Sequence, residues 1–123
     1  MIDPFRLDAE GKSLSVENTF AHDLKDLQAC LNELPALGQQ LVTRLRRIDD
    51  DYKIEKLFVK IKFSDFSATT IERSASALST DNVKELCTEA YSRKYMPVRL
   101  LNVGVSFVDL RENEMFRQLN LFD

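Results

Sequence analysis

The chain has 123 residues, of which 44% are hydrophobic and 30% charged, so its length fits one domain and its composition is that of a globular protein. The net charge of -3 and the pI of about 5.2 exclude a generally basic DNA-binding protein, although both values are compatible with a local basic patch. Charged residues interrupt every apolar run well before the roughly 20 residues that a membrane span needs, and Met1–Pro4 lacks the features of a secretory signal. We therefore expect a cytoplasmic protein without a membrane partner.

The first half of the chain predicts a strand followed by a long helix. In Lys12–Phe20 apolar and polar residues alternate, as they do in a strand with one buried face. From Asp23 to Ile48 leucines recur every three or four residues, which predicts a helix with one apolar face and with Asp23 and Asp26 in its first turn. Pro35 interrupts this stripe and predicts a kink or a division into two helices.

The second half predicts a hairpin, a second helix and a last strand. Ile54–Ser64 alternates between apolar residues and lysines, and Ser67–Ser74 is rich in β-branched residues, so these two runs form the hairpin. Thr80 begins a helix whose apolar stripe continues to about Lys94. Alternation returns in Val98–Leu110, which we predict to be the final strand.

The element order β-α-β-β-α-β predicts an α+β fold, with a four-stranded sheet and two helices packed on one face. The opposite face of the sheet would carry polar side chains from at least three strands: Ser13, Ser15, Glu17, Thr19, Lys56, Lys60, Lys62, Asn102 and Ser106. Because antiparallel sheets commonly expose one face to water, this pattern alone assigns no function.

Candidate catalytic and metal-binding residues are few. His22 is the one histidine, and we expect a capping or surface role for it. Cys30 and Cys87 each lie in a helical apolar stripe, which favours buried free thiols over a disulfide or a ligand pair. The carboxylates of Asp49–Asp51 have no glycine-rich phosphate loop beside them, so a solvated loop is favoured over a Mg²⁺ site. The chain by itself is predicted to have no catalytic residue, no metal site and no enzymatic activity.

Two features remain as candidate binding sites. Lys56, Lys60 and Lys62 line one face of a predicted strand, where alternate residues lie about 6.6 Å apart, close to the spacing of phosphates along a DNA strand. The same row is also typical of a protected edge strand. At the end of the chain, Gln118–Phe122 (QLNLF) places three large apolar residues beyond the last strand. Such a segment either docks on a partner or folds back on its own domain.

Three blocks of sequence, together with the terminal QLNLF, resemble the little finger (polymerase-associated) domain of Y-family translesion DNA polymerases, and most closely its bacterial DNA polymerase IV branch. The blocks are KSLSVENTF (Lys12–Phe20), VKIKFSDFSATT (Val59–Thr70) and PVRLLNVGVSFVDL (Pro97–Leu110). The resemblance begins at Lys12 and covers nearly all of the remaining chain. We therefore expect a linker or tail at residues 1–11, the little finger domain at 12–110 and a tail with a clamp-binding motif at 111–123.

The resemblance implies a non-catalytic module that binds duplex primer–template DNA and the bacterial sliding clamp. The implied DNA contacts are Lys12, Ser13, Ser15, Lys60, Lys62, Ser64, Thr69, Thr70, Arg73 and Asn102. The implied clamp contacts are Gln118, Leu119, Leu121 and Phe122. The family usually has a basic residue where this chain has Gly11, so no DNA contact is carried over to the linker.

The resemblance also implies a larger parent enzyme, an error-prone polymerase whose palm domain holds the acidic residues and the Mg²⁺ ions. This chain would then be a fragment that holds no cofactor itself, and Met1 would be an artificial start. We expect it to be a monomer associated with the nucleoid. The alternative is a free-standing ferredoxin-like regulatory module that pairs its sheet face with a second copy and folds its tail back on the domain.

Overall fold

A computed structural model describes residues 12–47 and 52–109 of the chain. These residues form, in order, β1 (Lys12–Leu24), α1 (Leu27–Leu45), β2 (Tyr52–Phe63), β3 (Ala68–Ser74), α2 (Thr80–Tyr91) and β4 (Val98–Asp109). The predicted β-α-β-β-α-β order and the α+β fold class are confirmed. The segment 1–11, the Asp49–Asp51 run and the C-terminal motif all lie outside the described residues.

The four strands form one antiparallel sheet in the order β1-β4-β2-β3, and both helices pack on the same face of it. The core lies between these two layers, because the apolar stripes of the helices meet the alternate apolar residues of the central strands. Its fully buried side chains include those of Leu34, Leu41, Leu86, Val59 and Val103.

The chain enters and leaves the sheet at the same end. Lys12, the first residue of β1, pairs with Phe107, and Asp109 at the end of β4 pairs with Tyr52. The β2–β3 turn lies at the opposite end of the sheet, where Phe63 pairs with Val98. We call that end of the sheet the hairpin end.

β1 is longer, and α1 starts later, than the sequence pattern predicts. Leu24, predicted to be helical, instead pairs with Val98 in the sheet, after a register shift that begins beyond Thr19. The helix begins only at Leu27, because the Asp26 carboxylate accepts a hydrogen bond from the Ala29 N–H (2.9 Å) and caps the first turn. The prediction that Asp23 and Asp26 lie in the first turn is therefore wrong.

α1 continues through Pro35 as one helix, so the predicted division into two helices is wrong. A proline inside a helix removes one backbone hydrogen bond. On either side of Pro35, however, Leu34, Leu37 and Leu41 are each at most 2% exposed and hold this face of the helix against the core. Burial of these leucines offsets the lost hydrogen bond.

α2 also has a defined cap at its start. The Ser79 hydroxyl accepts a hydrogen bond from the Asn82 N–H (3.5 Å), and Asp81 lies in the first turn, where it complements the helix dipole. The helix ends at Tyr91, before the predicted Lys94, and the backbone then turns at Tyr95, whose φ is 53°.

Candidate nucleic-acid interface

The face of the sheet turned away from the helices, which we call the open face, consists of alternate residues from all four strands. The strand register arranges them in four rows that run across β1, β4, β2 and β3: Ser13–Ser106–Lys56–Ser74, Ser15–Gly104–Phe58–Glu72, Glu17–Asn102–Lys60–Thr70 and Thr19–Leu100–Lys62–Ala68. All nine residues that the sequence predicts for this face are present in these rows.

The charge of the open face is uneven along β2. The ammonium of Lys56 lies 3.6 Å from the Glu72 carboxylate, so this lysine is partly neutralised by a neighbour on the same face. Lys60 and Lys62 have no carboxylate partner among residues 12–47 and 52–109. Positive charge is therefore concentrated toward the hairpin end.

Asn102 lies beside Lys60 and is oriented by residues of β1. Its amide Nδ2 donates to the Ser15 hydroxyl and to the Glu17 carboxylate, both at 3.4 Å. Bonds of this length are weak, so the amide can exchange them for a ligand group with little loss.

An aromatic ring lies in the middle of the open face. Phe58 is half-buried and lies over Gly104, so that a Cβ on Gly104 would come within 2.7 Å of Phe58 Cε2. The same Cβ would lie 2.7 Å from the Ser15 Cβ. Phe58 is not among the residues predicted for the face. The sequence does contain the signal for it, because Phe58 lies two residues from both Lys56 and Lys60 and therefore shares their side of β2.

A second aromatic ring marks the hairpin end. Phe66 lies in the β2–β3 turn with a φ of 69° and is 62% exposed. The Lys62 Nζ lies 5.5 Å from its ring centroid, and the Arg99 Cζ lies 4.7 Å from it. Both distances fall within the range of cation–π interactions.

Sequence alternation did not indicate Arg99, because strict alternation puts it on the same side of β4 as the buried Leu101. In the structure Lys62 pairs with Leu100 and Phe63 pairs with Val98, so β4 has one extra residue between these pairs. That residue is Arg99. Such a bulge redirects a side chain, and here the guanidinium reaches the Phe66 ring.

Three residues predicted as DNA contacts lie on the side of the sheet that faces the helices: Thr69, Arg73 and Lys12. Thr69 and Arg73 each lie two residues from the buried Ile71 on β3, so they share its side of the sheet and face the helices. The Arg73 guanidinium pairs with Glu85 (2.7 Å) and Glu89 (3.2 Å) of α2. The Thr69 hydroxyl accepts a hydrogen bond from Arg93.

Lys12 likewise shares the side of its partner Phe107, which belongs to the core. The predicted contacts are therefore divided between two faces. Ser13, Ser15, Lys60, Lys62, Thr70 and Asn102 are brought together on the open face, whereas Lys12, Thr69 and Arg73 are not.

Ser64, the remaining predicted contact, lies in the turn at the hairpin end. Its N–H donates to the Pro97 carbonyl (2.8 Å) and ties this turn to the loop before β4. Asp65 strengthens the connection, because its carboxylate accepts from the Ser67 hydroxyl (2.6 Å) and from Lys94 (2.9 Å). These hydrogen bonds, from Ser67 first and then Lys94, hold the pKa of Asp65 well below its ordinary value.

Away from the open face, the described residues present an apolar cleft and no cluster of metal ligands. No three His, Cys, Asp or Glu side chains within 12–47 and 52–109 converge as metal ligands. An apolar cleft of about 290 Å³ between the helices is lined by residues such as Leu34, Pro35 and Val83, with no ionisable side chain among them. His22 is exposed on β1.

Cys30 and Cys87 are buried free thiols, as predicted. Burial raises the pKa of Cys30 to about 11 and that of Cys87 to about 12. Neither thiol is therefore suited to act as a nucleophile near neutral pH. Neither of the two helices within residues 12–47 and 52–109 has the length and apolar character needed to cross a membrane.

The family model described as the impB/mucB/samB family C-terminal domain matches residues 11–121. The chain belongs to this family. Among relatives, a DNA polymerase IV of Ectopseudomonas mendocina (strain ymp) is 45% identical over 117 residues, which cover 95% of this chain and 33% of the relative. A DNA polymerase IV of Pseudomonas syringae pv. tomato is 45% identical over 119 residues, covering 97% and 33%. The chain thus spans about a third of the length of these relatives.

Two solved structures share this fold. A little finger domain of PolIV, solved in complex with the beta-clamp processivity factor, matches with a TM-score of 0.71 and 28% identity over 76% of this chain and 86% of that one. DinB from Sulfolobus solfataricus matches with a TM-score of 0.62 and 15% identity over 80% of this chain and 29% of that one, which shows the shared fold. The identification of a little finger domain from three sequence blocks is confirmed.

Proposed function

We propose that this domain binds duplex DNA and a sliding clamp for a translesion DNA polymerase. The observation that carries the DNA half is the open face, on which Lys60 and Lys62 stand without carboxylate partners among the described residues. The polymerase activity itself belongs, in this proposal, to the rest of a larger enzyme.

Contacts to phosphates explain the composition of the open face. Lysine ammonium groups neutralise phosphates, and hydroxyl groups such as those of Ser13, Ser15 and Thr70 donate hydrogen bonds to phosphate oxygens. Neither kind of contact reads the base sequence, which suits a domain that must hold any duplex. A net charge of -3 for the whole chain makes this binding weak, and a clamp tether compensates by raising the local concentration of the domain near DNA.

A salt titration of duplex binding tests the DNA half. If the open face neutralises three to five phosphates, the logarithm of the affinity falls against log salt with a slope of roughly -3 to -4.5. Lys60→Gln should reduce the size of that slope by about 0.9. Lys84→Gln, an equal loss of charge on the exposed side of α2, is the control. Absence of binding at low salt, or equal effects of the two variants, would contradict the proposal.

The clamp half rests on the motif Gln118, Leu119, Leu121 and Phe122, which the sequence provides outside the described residues. Large apolar side chains usually dominate such interfaces, so Leu121→Ala combined with Phe122→Ala should abolish binding to an immobilised bacterial sliding clamp. Asn120→Ala, a change within the same segment, should leave binding measurable. Unchanged affinity of the double variant would overturn this half.

The same proposal covers the setting in which the domain works. Mg²⁺ would be held by the palm carboxylates of the larger enzyme and would support nucleotide transfer there. This domain would act as a monomer, in the cytoplasm, at the nucleoid where its DNA ligand lies.

A further inference from the structure

We propose that Phe66 is a positioning residue that holds Lys62 and Arg99 together as a phosphate-binding pair at the hairpin end of the open face. The inference rests on the proposed duplex binding and deepens it: it adds Arg99 as a contact to the DNA backbone and gives the exposed ring a role that acts through the two cations.

The two cations come from different strands, and both lie close to this ring. Lys62 belongs to β2, and its Nζ lies 5.5 Å from the Phe66 ring centroid. Arg99 lies at the bulge of β4, with its Cζ 4.7 Å from the same centroid. Since both distances are within the cation–π range, the ring restricts two long side chains that would otherwise sample many rotamers.

Phe66 contributes little to the fold in return for its unfavourable conformation. Its side chain is 62% exposed, so it buries only a minor part of its apolar surface. Its φ of 69° lies in the left-handed region, which is costly for a residue with a Cβ. Tyr95 is also exposed with a positive φ, but its ring packs edge-on against Tyr91, with centroids 5.7 Å apart, whereas the Phe66 ring lies beside two cations. These cations, rather than the exposure or the φ alone, point to a ligand-binding role for Phe66.

The ring orders the two cations without neutralising them. Nearby cations at the hairpin end have polar partners, since Lys94 pairs with Asp65 and Arg93 donates to Thr69. Lys62 and Arg99, by contrast, have no carboxylate partner within 12–47 and 52–109. An aromatic ring leaves their full charge available, whereas a carboxylate would cancel it. A prearranged pair of full positive charges fits the repeated negative charges of a phosphodiester backbone.

A double-mutant cycle tests whether Phe66 acts through the cations. Phe66→Leu keeps an apolar side chain but removes the ring electrons, so it should weaken duplex binding at fixed low salt by about two- to five-fold. Phe66→Tyr keeps the aromatic ring and should therefore bind duplex DNA with the affinity of the wild type. Combining Lys62→Gln with Arg99→Gln should reduce the size of the salt slope by about 1.8, and adding Phe66→Leu to that variant should change nothing further.

Two controls separate this inference from its alternatives. Tyr95→Leu removes the other exposed ring, which is 72% exposed and also has a positive φ, and should leave duplex affinity unchanged. Lys60→Gln tests the proposed DNA face without touching the Phe66 ring. If Phe66→Leu weakens binding equally in the wild-type and the Lys62→Gln/Arg99→Gln backgrounds, the positioning role is overturned. If only Lys60→Gln weakens binding, the DNA face stands and the phosphate-binding pair does not.

Discussion

The ring of Phe58 lies against the backbone of Gly104, across the β2–β4 strand pair at the centre of the open face. On the far side of Gly104, Ser15 of β1 occupies the remaining space. The absence of a side chain at Gly104 therefore leaves room for an aromatic ring among the hydroxyls and lysines of the open face.

Gly104→Ala should destabilise the domain by about 1–3 kcal/mol, because the new Cβ would overlap Phe58 and lie 2.7 Å from the Ser15 Cβ. Chemical denaturation followed by circular dichroism gives the free energy of unfolding. Gly38→Ala is the matched control: Gly38 lies inside α1 with no atom within 4 Å of the added Cβ, so this change should stabilise by about 0.5–1 kcal/mol. Equal effects of the two substitutions would show that close packing does not explain Gly104.

Glu72→Gln should strengthen duplex binding, because it releases Lys56 from the ion pair at 3.6 Å and adds a free positive charge to the open face. The size of the salt slope should increase by up to about 0.9. Glu85→Gln changes the net charge by the same amount on the helix side, where Glu85 pairs with Arg73, and should have the smaller effect. Anisotropy titrations of the two variants at matched salt make the comparison, and a larger effect of Glu85→Gln would argue against the open face.

The contribution of Asp65 to the free energy of unfolding should decrease at acid pH. Hydrogen bonds from Ser67 and Lys94 lower its folded-state pKa, so the folded protein binds fewer protons here than the unfolded chain does. Its contribution is present above about pH 4 and is lost as the pH falls toward the folded-state pKa. The difference in unfolding free energy between the wild type and Asp65→Asn should therefore shrink between about pH 5 and pH 2. A difference that stays constant over this range would rule out the carboxylate as its source.

The thiols of Cys30 and Cys87 should react slowly with a thiol reagent at pH 8 in the folded protein, since burial raises their pKa values to about 11 and 12. Both should react rapidly in denaturant. The folded state keeps these thiols protonated, so their contribution to stability is complete below about pH 8.5 and is lost as the pH rises toward the folded-state values. Rapid labelling of either cysteine in native buffer would show that its site opens locally.

Alternation along β2 and β4 predicted the polar residues of the open face, because the alternate positions of these central strands are buried and exclude charged side chains. The same rule could have separated Thr69 and Arg73 from Thr70, since Ile71 is the buried residue of β3 and its alternate neighbours share its side. Arg99 was beyond this rule. A bulge shifts the period by one residue, and a bulge depends on how two strands pair rather than on either strand alone.

The boundary between β1 and α1 was mispredicted for a similar reason. The leucine period extends back to Leu24, but pairing of Leu24 with Val98 and the cap at Asp26 keep that residue in the sheet. The periodicity of a short segment cannot predict this pairing, because Val98 lies far away in the sequence. Pro35 illustrates the reverse case, in which tertiary packing keeps one helix intact where the local sequence favours a break.

Lys12 and Asp109 both lie at the end of the sheet opposite the β2–β3 turn that contains Phe66. Both connections to the rest of the chain leave from one end of the sheet, so a rotation about that end displaces Phe66 more than any part near the pivot. β4 alone spans about 36 Å, and a swing of about 10° would therefore carry the far end through about 6 Å. Such a movement is comparable to the distance between alternate side chains of one strand. In the proposed DNA complex, a small change of angle at the connections would move Lys62 and Arg99 by about the distance between neighbouring phosphates.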